Sequence, residues 1–150
     1  SSEDAVLKII GRGKEEDYLK NKYCSSNVLF LGQLFNDDLI SEFKNSSCFV
    51  FPSKFEPWGL VVNEALSSGL PVIAYKSVGA NHDMILSKST GMVASDMDDF
   101  GEKMLEIYND SELLIKFSKN ATELMKNYWN YNLYSKCLKY ALKSVENGID

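Results

Sequence analysis

No apolar run in this 150-residue chain approaches the roughly 20 residues of a membrane-spanning helix. A transmembrane segment is therefore excluded. The opening Ser1 to Val6 has neither a charged n-region nor an apolar h-region, so no signal peptide is read there. It also lacks an initiator Met, as expected of a processed chain or a piece excised from a longer one. Clustered Lys and Arg are missing too. Basic residues are scattered singly and the net charge is -5, which argues against nucleic acid as a partner. Cys24, Cys48 and Cys137 form an odd set without C-x-x-C spacing. That argues against a disulfide framework or a metal site, and buried free thiols in a reducing cytosol are expected. His82 is the only histidine, and an exposed loop position is expected for it. Internal repeats, low-complexity tracts and long linkers are absent as well.

What is there reads as one domain over residues 1–150, with 45% hydrophobic and 25% charged residues. Short apolar runs alternate with helical patterns. Strands are expected at Ala5 to Ile10, Val28 to Leu31, Cys48 to Phe51, Pro71 to Tyr75 and Gly91 to Ala94. Helices are expected at Lys14 to Tyr23, after Asn36 as N-cap, at Leu60 to Ser68 with Gly69 closing it, and at Ala80 to Leu86. Three further helices follow, with apolar stripes on Phe100, Met104 and Ile107, then on Leu113, Leu114, Phe117, Ala121 and Leu124, then on Leu133, Cys137, Tyr140 and Ala141. Continuous rather than alternating apolar strands are those of a sheet covered on both faces. Strand–helix alternation then predicts an α/β fold, a Rossmann-like parallel sheet with helices on both faces followed by C-terminal helices. Ligands of such sheets bind at the carboxyl ends of the strands. The Gly11-Arg12-Gly13 turn and the stretch Pro52 to Gly59 fall at two such ends.

Phe49 to Ala74 holds the chemistry. An apolar run leads into a turn with Glu56, then a helix with Glu64, a glycine turn and a second apolar run. Gly59 allows close backbone approach, and the helix from Leu60 points unpaired N–H groups and its positive dipole end at the same place. Such an end suits a phosphate or diphosphate. Two carboxylates beside it suit the hydroxyls of a sugar or ribose. A plainer reading competes. Val61, Val62, Ala65 and Leu66 define the apolar face of that helix, and Glu64 falls opposite with Asn63 and Ser67. A glutamate there is usually only solvated, and Glu56 fits an ordinary loop residue. Spacing alone favours the plainer reading.

The whole string from Glu56 to Ala74, EPWGLVVNEALSSGLPVIA, resembles the signature of family 4 glycosyltransferases, retaining nucleotide-sugar-dependent enzymes of the GT-B architecture. The Glu-x7-Glu motif of that family falls on Glu56 and Glu64. Ile9 to Gly13 resembles its VGxG turn, Val28 to Gly32 its IxFLG strand, and Ser77 to Ala80 the loop after the next strand. Tyr128-Trp129-Asn130 falls where many members carry an aromatic-Trp turn before the last helix. The resemblance implies a hexose donor bound as a nucleotide diphosphate sugar. Glu56 would contact the donor sugar as the catalytic carboxylate, and Glu64 the ribose. Pro57 and Trp58 belong to the same donor loop, and backbone N–H groups of Gly59, Leu60 and Val61 would hold sugar and diphosphate. Backbone around Gln33 and Leu34 would meet the base, and Gly11, Arg12 and Gly13 would line the cleft. Neither a covalent nucleophile nor a metal or other cofactor is implied. The acceptor would be a glycan or a lipid-linked sugar, and the setting cytoplasmic, the parent enzyme at the inner face of the membrane.

Two departures bound the resemblance. The acceptor-binding N-terminal domain has no counterpart here, and neither has the first strand–helix unit of the donor-binding domain, which supplies an Arg and a Lys to the diphosphate. Arg12 and Lys14 lie on another turn, and Lys54 is a lone cation near the site. In the order 3-2-1-4-5-6 the missing strand is central. Either the strands from Ala5 and Cys48 pair directly, or another chain fills the gap. The expectation is a donor-binding half with little activity alone. A natural split subunit needing a partner chain, or a non-catalytic nucleotide-sugar-binding module, would carry the same motifs. The aromatic segment Tyr128, Trp129, Tyr131 and Tyr134 reads first as core. Any part left exposed by the missing domain would promote self-association.

Overall fold

The computed structural model describes residues 5–146, so the opening Ser1 to Asp4 lies outside the described residues. The fold is α/β with parallel sheets. The chain divides into two compact units, Ser1–Glu42 and Phe43–Asp150.

In the first unit, β1 (Leu7–Ile10) and β2 (Val28–Gly32) pair in parallel, Leu7 opposite Val28, with a register shift at Ile10. The crossover between them contains α1 (Glu16–Tyr23), whose acidic first turn and basic last turn suit its dipole. Lys8 Nζ bonds Glu42 Oε2 at 2.7 Å and ties β1 to the chain after β2. Asn36 opens α2 (Asn36–Lys44) with φ +48°, a left-handed conformation that Asn tolerates better than most residues.

In the second unit, β3 (Phe49–Phe51), β4 (Val72–Tyr75) and β5 (Gly91–Ala94) form a parallel sheet in the order β3-β4-β5. The helix α3 (Leu60–Ser67) crosses from β3 to β4. Gly69 follows it at φ +77°, and Leu70 N bonds Ala65 O at 3.0 Å, so the helix ends where a left-handed residue is needed. Successive β4 residues point to opposite faces. Ile73 joins a core with Ala94, Phe100, Ile107 and Phe117, while Val72 and Ala74 on the other face are equally buried. Covering on both faces is the reason these strands read as unbroken apolar runs.

The helix α4 (Met97–Asn109) is capped by Asp96, whose side chain accepts from the N–H groups of Asp98 and Asp99. The helix α5 (Ser111–Asn127) is capped by Asp110. Their stripes fill the core as the periodicity requires. The last helix, α6 (Tyr131–Glu146), does not: none of its residues is buried. Tyr128, Tyr131, Tyr134 and Tyr140 are exposed. The aromatic segment is therefore surface, not core.

Three further expectations are corrected. Direct pairing of the Ala5 and Cys48 strands is not made among the described residues, since the hydrogen-bonded orders are β1-β2 and β3-β4-β5. The segment expected as an ordinary helix at Ala80 to Leu86 is a wider, π-type turn over Asn81–Leu86, with Ser87 N bonding His82 O five residues back at 3.2 Å. The cysteines are free, but only Cys48 is even half-buried, packed against the core; Cys24 and Cys137 are exposed. Burial pushes the Cys48 thiol up to about 12, which makes it inert.

Candidate active site

The site region of the second unit begins where β3 stops at Pro52. Residues 53–59 leave the sheet and run alongside residues 77–80, which follow β4. Ser77 Oγ donates to Ser53 O at 2.9 Å, Gly79 N to Glu56 O at 2.9 Å and Ala80 N to Trp58 O at 2.9 Å. Glu56 and Val78 form a parallel bridge. Two loops at the carboxyl ends of adjacent strands are thus joined by main-chain bonds, and Glu56 is half-buried between them.

Gly59 is buried at φ +97°, ψ 67°, a conformation that favours glycine. A Cβ here would meet Val78 Cγ1 at 3.2 Å, Glu56 Cγ at 3.3 Å and Phe51 Cε1 at 3.4 Å. The backbone therefore lies directly on these side chains, and α3 starts from that surface. No side chain caps α3, and its first turn holds no acidic residue. Its leading N–H groups and positive dipole end are available to an anion. Leu60 is exposed and Val61 half-buried on that first turn, and Glu64 is exposed one turn further along. Pro57 is exposed.

Trp58 is held from two sides. Its Nε1 donates to Asn63 Oδ1 at 3.0 Å, and its ring lies 5.5 Å from that of Trp129, tilted by 42°. Asn81 is buried at the head of the π-type turn, where Nδ2 donates to Tyr75 O at 2.8 Å, while Oδ1 has no partner among the described residues. His82 is exposed beside it, as expected, but within the π-type turn rather than in a loop. No group of three or more metal-ligating side chains occurs among the described residues.

The other predicted residues belong to the first unit. Gly11 N donates to Gly32 O at 2.7 Å, so the Gly11-Arg12-Gly13 turn and the Gln33-Leu34 segment leave the same ends of β1 and β2 side by side. Gly11 has φ +129° and Gly32 φ +70°. Arg12 and Gln33 are exposed and Leu34 half-buried. The predicted residues thus form two groups, one in each unit. Sequence reasoning missed the supports: Ser77, Gly79, Asn63, and Trp129 as the partner of Trp58. All four lay in motifs already singled out, but no motif named the partner of its residue.

Parallel strands with glycine turns and a bare helix start at their carboxyl ends define an α/β fold of the kind that binds ligands at those ends. The chain belongs to the family of glycosyl transferases group 1, which it matches over residues 1–124. It is 32% identical over 130 residues to the sulfoquinovosyl transferase SQD2 of Arabidopsis thaliana, covering 83% of this chain and 25% of that protein. Its structure is similar to a sucrose-phosphate synthase of Thermosynechococcus elongatus, with TM-score 0.77, 22% identity, and coverage of 95% of this chain and 39% of that one. It is also similar to Anabaena HepE solved in complex with UDP, with TM-score 0.76, 20% identity, and coverage of 93% and 41%. These likenesses establish a GT-B-type glycosyltransferase fold. The chain spans about a fifth to two fifths of the length of the curated relatives it matches. No helix among the described residues is long and apolar enough to cross a membrane.

Proposed function

We propose that this chain is the donor-binding half of a retaining, family 4 hexosyltransferase that uses a nucleotide diphosphate sugar. The observation that carries the reading is the pinned loop. Glu56 and Trp58 are held by main-chain bonds to residues 77–80, directly before Gly59 at the mouth of an uncapped helix. In this reading the diphosphate lies at the start of α3, where N–H groups of Gly59, Leu60 and Val61 neutralise it without a metal. Glu56 accepts from hydroxyls of the transferred hexose, and Glu64, one turn on, accepts from the ribose. Gly11, Arg12, Gly13, Gln33 and Leu34 serve the nucleotide end. The acceptor, a glycan or lipid-linked sugar, is bound by a further domain of the parent enzyme, which works in the cytoplasm at the inner face of the membrane. The isolated chain binds donor weakly and transfers little.

Calorimetric titration and thermal shift against UDP-, GDP- and ADP-sugars test this. UDP-glucose is a reasonable first ligand, because HepE, which shares the fold, was solved with UDP. One nucleotide sugar is expected to raise the melting temperature. Glu64→Ala is expected to weaken its binding about tenfold or more, the loss of a charge-assisted hydrogen bond of about 1.5–3 kcal/mol. Absence of binding across the whole panel would overturn the reading.

A further inference from the structure

A second concave surface lies at the other ends of the strands. The donor loop follows the carboxyl end of β3, whereas this groove, of about 480 Å³, is built where the chain enters β3 and β4. Lys44, Ser46 and Ser47 come from the approach to β3, Ser68 and Gly69 from the approach to β4, and Ser118 and Lys119 from α5. Its size falls within the roughly 300–1,000 Å³ of small-molecule clefts.

The lining has an uneven chemistry. No carboxylate lines the groove, although the chain has 21 acidic residues against 16 basic ones. Lys44 and Lys119 form none of the ion pairs found among the described residues. The hydroxyls of Ser47 and Ser118 donate no hydrogen bond within those residues either. Gly69 keeps the floor narrow: a Cβ there would meet Thr122 Oγ1 at 3.2 Å and Ser118 Oγ at 3.8 Å. Leu70, Leu114 and Ile115 supply an apolar wall. Two point cations suit a phosphate dianion, the hydroxyls of Ser47 and Ser118 suit a polyol, and apolar carbon suits the C–H face of a pyranose. An inorganic anion alone would leave the wall and the serines unused.

We propose that this groove is a second ligand site, for a phosphorylated sugar, separate from the donor cleft. The inference does not depend on the proposed donor reading, because it uses none of the same residues. The test is an amide NMR titration of the ¹⁵N-labelled chain at constant ionic strength, with mannose 6-phosphate as the probe and mannose and inorganic phosphate as separate arms. Mannose 6-phosphate is expected to give saturable shifts at Ser46, Ser47, Gly69 and Ser118, and to bind at least about tenfold more tightly than either fragment. Lys44→Ala with Lys119→Ala is expected to weaken it about tenfold or more. Both side chains are exposed, so an unchanged amide spectrum elsewhere verifies the fold of the variant. Shifts confined to 59–61, inorganic phosphate binding as tightly as the sugar phosphate, or an unaltered affinity in the lysine variant would each overturn the proposal.

Discussion

Gly79 is exposed, yet it has no room for a methyl group. A Cβ there would lie 2.7 Å from the carbonyl carbon of Pro57 and 3.1 Å from Trp58 Cα, with the Pro57 oxygen closer still. All three are backbone atoms, so no flexible side chain can yield. Ordinary contact begins near 3.4 Å. The segments 53–59 and 77–80 must therefore part by at least about 0.7 Å, which carries the 2.9 Å bonds from Gly79 N to Glu56 O and Ala80 N to Trp58 O past hydrogen-bonding distance. Two such bonds are worth about 1–3 kcal/mol together. Gly79→Ala is thus expected to lower the urea midpoint by about 1 M, taking a slope of about 2 kcal/mol/M. Its amide shifts should concentrate at 53–59 and 77–80. Gly101→Ala supplies the contrast. Gly101 lies inside α4 with nothing within 4 Å of its Cβ position, and the change should stabilise by about 0.5–1 kcal/mol. An unchanged midpoint with unshifted loop amides in Gly79→Ala would refute the reasoning.

Two further perturbations have clear signs. The Asp96 carboxylate is held below the usual range chiefly by the N–H of Asp99, with Ser95 Oγ and the N–H of Asp98 adding to it. A depressed folded value stabilises above the ordinary Asp pKa, and that contribution is lost as pH falls through the folded value. Asp96→Asn keeps a capping side chain but does not titrate, so the stability gap between wild type and variant should shrink on acidification. Melting curves from pH 7 to pH 3 with a constant gap would contradict this. Trp129→Leu removes the ring packed at a tilt against Trp58, worth about 0.5–1.5 kcal/mol beyond burial, and should speed amide exchange in α6, which has no buried residue of its own. Unaltered exchange there would show that the ring pair does not anchor the helix.

Strand positions were legible in the second unit because its strands are apolar on successive residues and bounded on at least one side by glycine or proline. Gly91–Ala94 agrees to the residue, and Val72–Tyr75 loses only Pro71, which has no N–H for the ladder. Glu56, Gly59 and Glu64 could be singled out because one contiguous string contains the turn, the helix start and both carboxylates. The supports could not be. The bond from Gly79 to Glu56 joins residues 23 positions apart through main-chain atoms, which leave no side-chain pattern to read. Helix α6 misled for another reason. Its apolar stripe has the same 3.6-residue period as those of α4 and α5, and periodicity marks a face able to be covered without saying what covers it.

The bonds between residues 53–59 and 77–80 accept at backbone carbonyls, and only Ser77 contributes a side chain. Such a frame is indifferent to most of the side chains it displays. Lys54 and Phe55 are exposed on the loop and His82 beside it, and none of the three provides a side chain to those bonds. Their identities can change while the backbone path between Glu56 and Gly59 stays as it is. The region therefore separates a constant scaffold from an editable surface, which allows one loop geometry to be refitted to different ligands by exchanging a few outward-facing side chains.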